Sequence, residues 1–75
     1  MHIWSVMMSL VRHAPAYIKA ETNDDACQQL QALADRRMRK PVVLQFEDFD
    51  DEIHAYIQRG KRRRMFASIQ YEGKE

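Results

Sequence analysis

Cys27 is the only cysteine in the 75-residue sequence. A disulfide within the chain is therefore excluded, and a lone thiol fits a reducing compartment. Placed mid-helix, it reads as a small buried hydrophobe. There are only two glycines, Gly60 and Gly73, which leaves no glycine-rich loop to cradle a phosphate. The three histidines, His2, His13 and His54, are scattered and show no ligand spacing with Cys27 or each other. No metal and no cofactor is therefore expected. The acidic stretch 47–52 lacks the alternating spacing of a calcium loop. It reads as a solvated connection, with a second protein-contact patch as the alternative. His54 near Asp50, Asp51 and Glu52 is the one acid–base grouping, and it reads as loop rather than as catalytic machinery. No apolar run approaches the length of a membrane span. Residues 3–11 are apolar but short and have no basic flank, unlike a signal peptide. The expectation is one small, soluble, cytoplasmic, non-enzymatic domain. A chain this short buries only roughly 60% of its unfolded surface, so its core is thin.

What the chain does have is charge gathered into blocks. The net charge is only +1, yet nine of the twelve Lys and Arg residues fall in two runs. The first holds Arg36, Arg37, Arg39 and Lys40. The second holds Arg59, Lys61, Arg62, Arg63 and Arg64. Between them, residues 41–58 carry five acidic groups and no Lys or Arg. Positive charge concentrated in this way points to an anionic partner, most simply nucleic acid or a ribonucleoprotein or protein complex that handles it.

Periodicity sets the elements. In residues 3–11, Trp4, Val6, Met8 and Leu10 alternate toward a core, while Ile3, Met7 and Val11 leave the other face unusually apolar. Residues 12–15 read as a turn, and 16–21 alternate again with Ile18 and Ala20 inward. These two strands should pair as a hairpin. Thr22 is a helix cap, and Asp25 stands at capping-box spacing. Ala26, Cys27, Leu30, Leu33 and Ala34 form an apolar stripe for a helix from about residue 23 to about 38–39, ending before Pro41. The first basic run then sits at a helix C-terminus, where cations are favoured by up to about 1 kcal/mol each. Residues 42–46 read as a third strand, and Phe49 should plug back onto the core.

Residues 52–71 admit a helix capped near Asp50 or a hairpin, and the hairpin is favoured. A three-residue loop of Arg59, Gly60 and Lys61 sets Ala55 opposite Met65 and Ile53 opposite Ala67, which matches the apolar faces. A two-residue turn at Gly60 and Lys61 would pair Ile57 with Arg64 and Ala55 with Phe66, a mismatch. The fold class is therefore α+β: an antiparallel sheet of four to five strands with one helix packed on one face, in the order β-β-α-β-β-β.

That register places Tyr56 opposite Arg64, His54 opposite Phe66 and Gln58 opposite Arg62 on an exposed face. Arginines would then alternate with aromatics, a surface that pairs with phosphates and stacks bases. Arg62 and Arg64 should matter most, then Lys61 and Arg59, with Tyr56 and Phe66 beside them. Arg63 should point to the other face. Read structurally, the same turn protects a sheet edge. The alternative function is a homodimeric protein-interaction module that uses the face of Ile3, Met7 and Val11 without contacting nucleic acid.

The run from Tyr17 through Thr22 straight into Asn23, Asp24, Asp25 and Ala26, within a β-β-α-β-β-β order, resembles small accessory proteins of phages and mobile elements, among them some anti-CRISPR proteins. The resemblance is one of architecture and rests on no motif. It implies a stoichiometric, non-enzymatic inhibitor that binds an RNA-guided complex through charged surface residues.

Overall fold

Strands from opposite ends of the sequence lie side by side in a computed structural model that describes residues 1–8 and 13–75. The elements are β1 (His2–Met7), β2 (Tyr17–Ala20), α1 (Asn23–Arg37), β3 (Leu44–Asp48), β4 (Glu52–Arg59) and β5 (Arg62–Lys74). All five strands join one antiparallel sheet in the order β2-β1-β5-β4-β3. The expected α+β architecture is present, and the first two strands do pair. Leu10 and Val11, expected on the first strand, lie outside the described residues.

The helix starts where its caps dictate. Thr22 Oγ1 accepts the Asp25 N–H at 3.0 Å, and the Asp25 carboxylate accepts the Glu21 N–H at 3.0 Å. Two backbone donors at the helix entrance are thus satisfied by the side chains the sequence supplies. Ala26, Leu30, Leu33 and Ala34 are buried against Trp4, Ile18, Ala20, Leu44, Ile53, Ala55, Ile57, Phe66, Ala67 and Ile69. Val6 and Met8 are partly buried against the same core, as is Cys27. Complete burial of a side chain such as Leu30 stabilises by about 1.5–3 kcal/mol. The helix ends at Arg37, a residue or two short of expectation, because Met38 adopts extended backbone (φ −88°, ψ 140°) while its N–H still donates to Ala34.

The third strand begins at Leu44 rather than at Val42. The cause is Gln31 on the helix. Its amide donates to the Val42 carbonyl at 2.8 Å, and its side-chain oxygen accepts the Leu44 N–H at 2.9 Å. These backbone groups are satisfied by a side chain, so no strand ladder is needed there. Gln31 thereby ties the segment leaving the helix to the sheet. Phe49 does not plug the core. It is 52% exposed, and its ring meets the edge of the His54 ring at 5.2 Å. The turn around it closes through its own backbone bonds (Phe49 N–H to the Glu52 carbonyl at 2.8 Å), with Asp50 at φ 70°.

Residues 52–74 form the expected hairpin, but in a different register. The turn has two residues, Gly60 and Lys61, and sets Arg59 opposite Arg62, Gln58 opposite Arg63, Ile57 opposite Arg64 and Tyr56 opposite Met65. Gly60, at the first central position, has φ +60°, as a type II′ turn demands. The mismatch this turn would cause is absorbed by a bulge. The ladder steps from Tyr56–Met65 to Ala55–Ala67 and leaves Phe66 as the extra residue. Beyond the bulge the apolar faces agree, with Ala55 opposite Ala67 and Ile53 opposite Ile69.

Candidate functional site

The bulge decides which face the arginines occupy. Side chains alternate along a strand, so Arg59, Arg62 and Arg64 share the face of the buried Ile57, the face on which the helix packs. Arg63 shares the opposite face with Tyr56 and Gln58. The pairs of Tyr56 with Arg64, His54 with Phe66 and Gln58 with Arg62 are therefore not formed. Phe66 is fully buried and presents no ring to a ligand. It is removed from the candidate surface. Met65, Phe66 and Ala67 are three apolar residues in succession in a two-period strand, and that run is the sequence signal of the bulge.

Arg63 takes the place foreseen for Arg64. Its guanidinium carbon lies 3.6 Å from the centre of the Tyr56 ring, and it is ion-paired with Glu47. Tyr56 is thus capped by a cation and is not free to stack a base. Its hydroxyl lies 3.3 Å from His54 Nδ1, and His54 Nε2 lies 2.7 Å from a Glu52 carboxylate oxygen.

On the other face, Arg59, Arg62 and Arg64 line a cleft of about 590 Å³ with Ile57 and Met38; Arg63 also borders it, but its guanidinium is turned to Tyr56 and Glu47 on the opposite face. Met38 is the residue that ends the helix, in the middle of the first basic run. A neighbouring depression is lined by Lys40, Val42, Gln58 and Arg59. The two basic runs, separated in sequence by residues 41–58, therefore meet at one end of the molecule. Helix-end electrostatics account for part of the first run: Arg36 and Arg37 occupy the last turn, and Arg36 Nε approaches the Ala32 carbonyl at 3.4 Å. Arg36 itself lies off the cleft, beside Tyr17 and Lys19. Arg37 and Arg39 flank Met38 and are exposed, as are Lys40 and Lys61. Met38 is the lining residue that the charge pattern did not single out.

The charges of Arg59, Arg62 and Arg64 in the cleft have no carboxylate partner among the described residues. Of the cations in the two runs, only Arg63 has a carboxylate within salt-bridge distance among the described residues. Arg59 and Arg62 stand directly opposite each other across the ladder, where like charges destabilise. Carboxylates gather elsewhere. Asp24 and Asp25 sit in the first helical turn, and Asp48 accepts the Asn23 side-chain amide at 3.0 Å, joining the turn after β3 to the helix start. Among the described residues, no group of three or more His, Cys, Asp or Glu could hold a metal ion, and no helix is long and apolar enough to cross a membrane.

No family model, no curated protein and no solved structure matches this chain.

Proposed function

We propose that this protein is a non-enzymatic nucleic-acid-binding module whose basic end, centred on Arg59, Arg62 and Arg64, engages phosphate groups. The observation that supports this most is the cleft itself, in which Arg59, Arg62 and Arg64 share one face with Ile57 and Met38 with no acidic lining. Guanidinium groups form paired hydrogen bonds with phosphate oxygens, and each phosphate contacted releases condensed counterions. An inhibitor of an RNA-guided complex, the role implied by the architectural resemblance, would use the same cleft on a guide or target backbone.

The test is fluorescence anisotropy with labelled DNA and RNA of mixed sequence across a salt series. Affinity should fall as salt rises, and the Arg62→Glu/Arg64→Glu double variant should lose at least about tenfold. Both side chains are exposed, so circular dichroism should show the variant folded. Unchanged binding by a folded double variant removes this surface from consideration.

A second reading, a homodimeric or protein-interaction module, draws on Met7, which is 75% exposed and lies opposite Ser68 on the face away from the helix. Concentration-dependent sedimentation that Met7→Lys abolishes would favour it, and a monomer at all concentrations would remove its homodimer form.

A further inference from the structure

We infer that the cleft takes the phosphodiester backbone of a duplex and does not read bases, an inference that rests on the nucleic-acid reading above. Three observations carry it. The first is spacing. Arg62 and Arg64 project from the same side of one strand two residues apart, about 6.6–6.8 Å along the strand. That is of the order of the distance between successive phosphates on one nucleic-acid strand. Arg59, directly opposite Arg62, lets the two guanidiniums flank one phosphate while Arg64 meets the next.

The second observation is what the cleft lacks. Proteins that recognise unpaired bases stack them on aromatic rings. The cleft is lined by Met38, Ile57 and arginines. The two aromatics nearest in sequence are withheld, Phe66 by complete burial and Tyr56 by the Arg63 guanidinium over its ring. A duplex keeps its bases stacked on each other and presents phosphates outward, so it needs no stacking platform from the protein.

The third is the shape of the hairpin. β3 pairs with β4 only as far as Ile57, and among the described residues β1 pairs with β5 only as far as Ser68. Among the described residues, the turn with Arg59 and Arg62 therefore extends past the last rungs of both neighbouring strands, and Arg64 sits level with the final β3–β4 pair. The helix end at Met38 walls one side, which favours a backbone ridge over insertion of the hairpin into a groove. The like-charge pair of Arg59 and Arg62 is relieved when an anion lies between them.

Three labelled probes of equal length test this: a mixed-sequence duplex, a duplex of scrambled sequence, and one unpaired strand. The two duplexes should bind within about twofold of each other, because phosphate contacts carry no sequence information. The unpaired strand should bind at least about tenfold more weakly, and log affinity for the duplex should fall with log salt at a slope of about −2, about −0.9 for each of the two phosphates contacted. Arg64→Gln should reduce that slope by about one phosphate contact, and Arg59→Gln combined with Arg62→Gln by about one more, without altering the ratio between the duplexes. Tighter binding of the unpaired strand, or a difference between duplexes above about tenfold, the size of one base-specific contact, overturns this inference while the nucleic-acid reading stands. Binding of none of the three probes overturns both.

Discussion

The Arg63 guanidinium rests 3.6 Å from the centre of the Tyr56 ring, with Glu47 holding its other side. Both members of the ion pair are about two-fifths exposed, so solvent screens that pair to no more than about 1 kcal/mol. The cation–π contact adds about 0.5–1 kcal/mol. Tyr56→Leu should lower the unfolding free energy by about that amount, read from urea midpoints. Arg63→Gln should cost a similar amount of stability yet leave duplex affinity within about twofold, unlike Arg62→Gln. Equal losses of affinity at positions 62 and 63 would contradict the assignment of these arginines to opposite faces.

Gly60 fixes the register of the hairpin. A Cβ added there meets no atom within 4 Å, yet the backbone sits at φ +60°. The cost of Gly60→Ala is thus conformational, about 1–2 kcal/mol. Thermal unfolding should show this loss with no change in the far-ultraviolet spectrum. A neutral substitution would mean that the turn is not of this type.

Much of this fold is legible in the residues, and the reason differs by element. Thr22 and Asp25 act through neighbours three or four residues away, so the helix start is a local fact. Ile53, Ala55 and Ile57 show their inward face because apolar and polar residues alternate there. Arg62, Arg63 and Arg64 offer no such contrast, so nothing local fixes which of them shares a face with Ile57. The parity is set downstream, where Phe66 drops into the core and inserts one residue into the ladder. The site was readable as a charge run but not as a cleft. Its second wall, Met38, comes from the end of the helix, which lies beside the hairpin only in the folded chain.

Gln31 should therefore be more valuable than a polar helix residue usually is. Gln31→Ala leaves the Leu44 N–H and the Val42 carbonyl without their partner, in a region where Leu44 is buried. The expected cost is about 1–3 kcal/mol. Hydrogen exchange should show the Leu44 amide losing protection while β5 amides such as Ile69 keep theirs until global unfolding. Unaltered Leu44 protection would show that the backbone finds another partner.

Cys27 should be a sluggish nucleophile. Its thiol pKa is raised above the ordinary value, first by burial and then by the negative charges of Asp48 and Asp24. A raised pKa means less thiolate at any given pH, and the thiolate is the reactive form. Iodoacetamide should alkylate the native protein more slowly than the urea-unfolded chain at neutral pH. The native rate should also climb only at higher pH than the unfolded rate. Identical rates in the two states would contradict this.

The placement of β5 sets a schedule for folding. β5 forms the centre of the sheet, and its partner β1 stands at the other end of the sequence, with His2 opposite Lys74 and Met7 opposite Ser68. Closing that pairing requires most of the chain to be looped first, an entropic toll levied before the contact stabilises anything. Topologies of this kind fold on millisecond-to-second timescales rather than in microseconds. During translation β1 and its hairpin partner β2 emerge first and must wait for the last strand before Trp4 can be sealed against Tyr71, whose ring meets it edge-on at 5.3 Å. The nascent chain is consequently at its most aggregation-prone just before synthesis reaches β5.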